Sequence, residues 1–343
     1  MNRDRTIWLD LLKILSIFSV VVIHVASFTF IEMPLFSNHW HISNIYDSMV
    51  RFCVPVLVMI SGALFLHEDK EINIKKLYKK NILRLLTAYL SWNVIYYFYN
   101  MHFNNINDNI LNAPFIKEIH IWFMPMIIGL YIITPILKSI VKDRKNTEYL
   151  LIVFLIFGIV IPTIKEILII DYEAISYFLK DFKPELCGYV GYYILGHYLF
   201  TYRPYKDKSK IFILSYIITT TICVAGTIFV SSMMSIGALV FYDYFSITTF
   251  IQSISTFCIF EYIVSKKKFS NKVNNIISKL ARYTFGIYLV HMLVIYILQE
   301  FGFNSYVINS IINIPLLSII SFMISLLIVF IIDKIPIINK YVI

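Results

Sequence analysis

The chain has 343 residues, of which 59% are hydrophobic, 17% aromatic and only 15% charged. A soluble domain of that length cannot cover so much apolar surface, so soluble and disordered classes are excluded and a polytopic membrane protein remains. The net charge of +9 would suit nucleic acid, but the basic residues fall in short loops, every second one rich, a pattern set by membrane topology.

Hydropathy predicts an all-α integral membrane protein of about ten transmembrane helices, at 7–30, 46–66, 83–100, 119–137, 149–168, 186–202, 211–230, 244–264, 283–299 and 309–332. Each is near the length that crosses roughly 30 Å of hydrocarbon, the sixth and ninth being shortest. No separate soluble domain fits between them, so 1–343 is read as a single transmembrane domain. The head through Arg5, 67–84, 138–148, 203–210, 265–282 and the tail hold 24 of the 30 Lys and Arg residues. The positive-inside rule then puts both termini in the cytoplasm.

The first span begins after Met1-Asn2-Arg3-Asp4-Arg5 and resembles a signal peptide in outline. It carries Asp10 and Lys13, lacks a small-x-small cleavage site and runs on to Phe30, so it is expected to stay attached. Lys13 and His24 are eleven residues apart, which on a helix means roughly 20° in azimuth and about 16 Å in height. Asp10 falls near the same face. Ionisable groups inside a bilayer face a protein interior or a wet cavity, so this stripe is a candidate site.

The outer loop at 31–45 contains His39, Trp40 and His41, and that at 101–118 is rich in asparagine. Both suit sugar recognition, and both equally suit solvated connectors. Arg51, a few residues into the second span, is expected at the depth of His24. An imidazole there can accept a hydroxyl proton, while a guanidinium holds an anion or developing negative charge. The structural alternatives are an interhelical hydrogen bond for His24 and snorkelling for Arg51. Asp10 and Lys13 form either a local bridge or a contact with the phosphates of a cytoplasmic donor. The basic segments 75–84 and 265–282 are accounted for by topology.

Farther on, His197, Glu261, Tyr131, Tyr288 and His291 are intramembrane polar residues. Glu261 is expected to pair with Lys266–Lys268, and His291 is read as a second site residue, with helix packing as the alternative. Ser61 next to Gly62 is read chiefly as easing helix packing. Cys53, Cys187, Cys223 and Cys258 are expected to be buried small hydrophobes without metal spacing. No Gly-rich phosphate loop, metal cluster or Ser-His-Asp spacing appears, and no metal is predicted.

Several stretches together resemble the membrane acyltransferase-3 family, ten-span enzymes that O-acetylate envelope glycans. They are Asp10-Leu11-Leu12-Lys13 with His24, Arg51 through Gly62, Trp122-Phe123 through Gly129-Leu130-Tyr131 and Thr134-Pro135, Gly196-His197, and Thr284 through His291. The fourth-span stretch looks like the branch that contains the enterobacterial common antigen O-acetyltransferase. The resemblance implies acetyl transfer from cytoplasmic acetyl-CoA to a glycan or lipid-linked sugar outside a bacterial plasma membrane. His24 and Arg51 would be catalytic, Asp10 and Lys13 donor-binding, and Ser61, Trp122, Tyr131, Tyr288 and His291 additional site residues. The departure is Lys13, where the family usually has arginine; lysine keeps the charge and loses the bidentate fork. The rival reading is a transporter of a small polar solute such as serine, since intramembrane charges also mark solute pathways. A scaffolding subunit of a polysaccharide assembly complex is a third.

Overall fold

The structure is a computed structural model that describes residues 7–103, 118–168, 188–204, 209–307, 309–336 and 339. Among these residues every regular element is helical. In chain order they are α1 (Ile7–Glu32), α2 (Asn38–Val50), α3 (Cys53–Phe65), α4 (Ile74–Lys76), α5 (Leu83–Phe103), α6 (Phe123–Ile140), α7 (Arg144–Val153) and α8 (Ile161–Leu168). They continue as α9 (Gly188–Tyr202), α10 (Ser209–Met234), α11 (Ile247–Val264), α12 (Asn271–Glu300) and α13 (Ser310–Ile332). π-helical stretches at Leu77–Ile82 and Phe154–Val160 join α4 to α5 and α7 to α8.

Among the described residues eight helical segments are long and apolar enough to cross a membrane, including Asn38–Phe65 and Arg144–Lys165 as joined pieces. The other two predicted spans are helices as well. α5 turns Trp92, Asn93, Tyr96, Tyr97 and Tyr99 inward, which lowers its hydropathy. α9 has 15 residues, about 22 Å of helix. The protein is an all-α integral membrane protein.

Helix ends depart from the hydropathy boundaries where polar residues continue a helix. Much of the predicted outer loop at 31–45 is α2, started by the Ser37 hydroxyl, which accepts from the Trp40 amide. Likewise α12 begins twelve residues before its predicted span, behind the Ser270 cap. Trp40 is corrected from a sugar-facing residue to a core one. It is fully buried and stacks on Phe30 at 4.9 Å. Glu261 is corrected too: it pairs with Arg203 at 3.1 Å, because α11 turns it toward the end of α9 and away from the lysines that follow. Cys53, Cys223 and Cys258 are buried, and Cys187, with most of the 101–118 and 169–185 loops, lies outside the described residues.

α1 is the hub. It packs against α2, α3, α11, α12 and α13, and its buried residues run along its whole length and around most of its circumference. α3 and α9 touch backbone to backbone. A Cβ added at Gly62 would collide with the Tyr193 carbonyl, and one at Gly196 with the Met59 carbonyl. Small residues permit such close approach within a membrane.

Candidate functional site

The stripe on α1 meets two other histidines. The His24 ring centroid lies 5.2 Å from that of His291 on α12 and 6.3 Å from that of His120, which precedes α6; His120 and His291 are 5.2 Å apart. His120 and His291 are buried, whereas His24 is half-buried.

Local structure fixes this cluster. The turn carrying His120 is anchored by Glu118, which accepts from Asn100 on α5 at 2.6 Å and from the Tyr296 hydroxyl on α12 at 3.1 Å. The Tyr288 hydroxyl donates to the His120 carbonyl, and the Tyr96 ring sits 5.1 Å from the imidazole. His291 holds its Nδ1 2.6 Å from the Tyr288 carbonyl. A carbonyl only accepts, so Nδ1 carries a hydrogen and the neutral ring presents Nε2 as an acceptor. Neither Nε2 of His291 nor either ring nitrogen of His120 makes a well-formed hydrogen bond. These ring nitrogens are therefore available to a bound group or a water.

Arg51 lies at the break between α2 and α3. Its guanidinium forms an ion pair with Asp47, one turn earlier on α2, and stands 4.1 Å over the Tyr242 ring, with Nη1 3.4 Å from the Tyr242 carbonyl. The Asp47 side chain is 1% exposed and that of Arg51 12%. Arg51 and His24 share no hydrogen bond.

At the Lys13 end of α1 a cavity of about 340 Å³ is lined by Lys13, Ser61, Tyr131 and Tyr288, with Lys80, Arg84 and Arg282 around it. A wider opening of about 540 Å³ shares those last three residues and adds Lys79. Cations from α1, from the segment leading into α5 and from α12 therefore converge on one funnel. Tyr288 belongs to the funnel wall and also contacts the histidine cluster, its ring 5.6 Å from His120 and 5.9 Å from His291. Asp10 accepts from the Ser278 hydroxyl at 3.0 Å, tying α1 to α12 beside Lys13. Ser61 donates to the Leu57 carbonyl at 3.0 Å, and Tyr131 packs on Phe65 at 4.4 Å. Beyond α3 the Lys70 ammonium lies over the Phe65 ring, and burial, with the neighbouring Lys138 charge, pushes its pKa down to about 8.

The predicted residues thus fall into three places. His24, His291 and Tyr288 meet at the cluster; Lys13, Ser61, Tyr131 and again Tyr288 line the funnel; Arg51 is held in its own ion pair with Asp47. Trp122 belongs to neither the cluster nor the funnel. It is 40% exposed and packs on Tyr189 and Tyr244 at 5.6 and 5.9 Å. Hydropathy missed His120, Asp47 and Glu118, and it discounted Lys80, Arg84 and Arg282 as topology signals. The available signal for His120 was its position two residues before Trp122 at the mouth of a span. Among the described residues no three His, Cys, Asp or Glu side chains converge to hold a metal ion.

Compared with known families, the chain matches the acyltransferase-3 family, described as an acyltransferase domain, over residues 6–333. No curated protein and no solved structure matches it.

Proposed function

We propose, from the premise that this chain belongs to the acyltransferase-3 family of membrane acyltransferases, that it carries an acetyl group from acetyl-CoA to a hydroxyl of a cell-envelope glycan across a bacterial plasma membrane. The observation that carries this reading is the basic funnel whose inner wall, at Tyr288, adjoins three clustered histidines. Acetyl-CoA joins a polyanionic nucleotide to a long arm ending in a thioester. The nucleotide phosphates suit Lys13, Lys80, Arg84 and Arg282, and the arm suits the path past Tyr288. About 16 Å of α1 separates Lys13 from His24. The distribution of basic residues supports a cytoplasmic funnel and two cytoplasmic termini. The branch with the enterobacterial common antigen enzyme remains our preferred placement.

In the proposed reaction the acceptor oxygen attacks the thioester carbonyl, the C–O bond forms and the C–S bond breaks. His24 takes the hydroxyl proton and delivers it to the departing sulfur, so the products are the acetyl ester and the free thiol. His291, with its proton fixed on Nδ1, offers Nε2 to the same space. Arg51 places positive potential beside the developing oxyanion.

The test is purified protein in detergent with acetyl-CoA and an envelope glycan extract, followed by mass spectrometry of the glycan. A mass gain of one acetyl group, with matching release of free thiol, supports the reading. Unmodified glycan with no thiol release refutes it. Labelled acetyl on the protein in the absence of acceptor would replace the base mechanism with an acetyl-histidine. Membership of an acyltransferase family leaves the solute-transporter reading without support of its own.

A further inference from the structure

An exposed apolar side of α12 and α13 holds a further cavity, outside the site described above. It is a groove of about 340 Å³ whose walls include Ile276, Leu280 and Tyr283 on α12 and Met323, Leu327 and Phe330 on α13. Its rim is open: Ile276 is 50%, Met323 56% and Leu327 58% exposed. From Met323 to Phe330 is seven residues, so the groove runs about 10 Å along the helices.

Its upper end is not apolar. The Lys279 and Lys334 ammonium groups flank one ring, with Nζ 5.4 and 5.1 Å from the Phe330 centroid. Lys279 stands near the start of α12 and Lys334 just past the end of α13, so both lie at the basic end of the molecule. Beside them Arg282 and the Tyr283 hydroxyl both bind Asp333, closing the wall between this groove and the wider opening of the funnel. An apolar slot running into the membrane below two adjacent cations is complementary to an acyl chain attached to an anionic headgroup.

We propose that this groove binds an anionic phospholipid, with one acyl chain between α12 and α13 and its phosphate held by Lys279 and Lys334. A zwitterionic lipid would fill the slot but leave the two charges without net compensation. A second copy of the chain would use the apolar ridge without needing either lysine. Each lysine near an anionic lipid surface favours binding by about fivefold. The proposal stands apart from the acyltransferase chemistry and survives or fails without it.

The experiment uses the full chain purified in a non-ionic detergent and titrated with phosphatidylglycerol or phosphatidylcholine. Thermal unfolding and native mass spectrometry give stabilisation and bound lipid. Phosphatidylglycerol is expected to remain bound and to raise Tm at lower concentration than phosphatidylcholine, because a ligand of the folded state stabilises by mass action. The double variant Lys279→Gln/Lys334→Gln should weaken phosphatidylglycerol binding by about 25-fold, fivefold for each lysine. Lys266→Gln/Lys267→Gln, elsewhere on the basic rim, should leave it unchanged. Leu327→Trp, which fills the slot and keeps both lysines, should weaken phosphatidylglycerol binding as well. Equal binding of the two lipids overturns the proposal, as does full phosphatidylglycerol affinity in the double variant. A lipid-free dimer disrupted by Leu327→Trp would reassign the groove to self-association.

Discussion

His24, His120 and His291 pack ring to ring, and their deletion should separate chemistry from folding. His24→Ala is expected to lower acetyl transfer by about 10²–10⁴, the usual value of a positioned proton carrier, while Tm in detergent changes little. A folded His24→Ala variant with near wild-type turnover would end its role. Arg51 needs a different design, because breaking a buried ion pair by removing one partner destabilises by about 3–5 kcal/mol. Arg51→Ala should therefore lose both stability and activity. Adding Asp47→Ala removes the stranded carboxylate and should restore much of the Tm; if turnover returns with it, Arg51 serves only the fold. At the funnel, Lys13→Ala should weaken protection by acetyl-CoA against heat, and Lys13→Arg should keep it. Unchanged protection in Lys13→Ala takes Lys13 out of the donor site. His24, Lys13, Tyr288 and His291 were legible because each interrupts an apolar run. His120 and Asp47 were not, because they lie at the ends of spans, where polar residues are ordinary and only their burial sets them apart.

Element existence was more legible than element ends. Polar stretches that continue a helix carry no hydropathy signal, so the first part of α2 was read as a loop and the first three turns of α12 as a basic cytoplasmic segment. The Ser37 and Ser270 caps were the local signs of where those helices start. The α3–α9 contact was legible only as two glycines, since what excludes a side chain is a carbonyl on another helix. That contact gives a clean comparison. Gly62→Val or Gly196→Val must drive two backbones apart and should cost at least about 1–3 kcal/mol, the usual penalty of overpacking, read as a lower Tm or lost folded protein. Gly129→Ala, on α6, meets nothing within 4 Å and should hold or slightly raise the Tm, alanine being better in a helix by about 1 kcal/mol. Equal tolerance at all three positions would mean that the close approach is not what stabilises the pair.

For the whole molecule, the all-α membrane class followed from composition and hydropathy, while eight segments among the described residues, against ten expected spans, are long and apolar enough to cross a membrane; orientation rests on charge alone. Cysteine placed at Phe303, 59% exposed in the turn before α13, is expected to react with an impermeant thiol reagent applied to intact cells. One placed at Lys267 is expected to stay silent until the membrane is opened, and the reverse pattern would invert the protein. What no linear pattern showed is that Lys13, Lys80, Arg84 and Arg282, from three separate segments, end around one cavity. On the proposed reading that convergence has a kinetic consequence. A carrier that gives up its acetyl group keeps every phosphate, so the charges that recruit the donor grip the spent carrier almost as firmly. Free coenzyme A should therefore be a competitive inhibitor against acetyl-CoA, with an inhibition constant within about tenfold of the donor's dissociation constant, a difference of about 1.4 kcal/mol. Both should weaken together as salt shortens the reach of the funnel's field. Turnover would then follow the ratio of acetylated to free carrier in the cell and not the amount of donor alone.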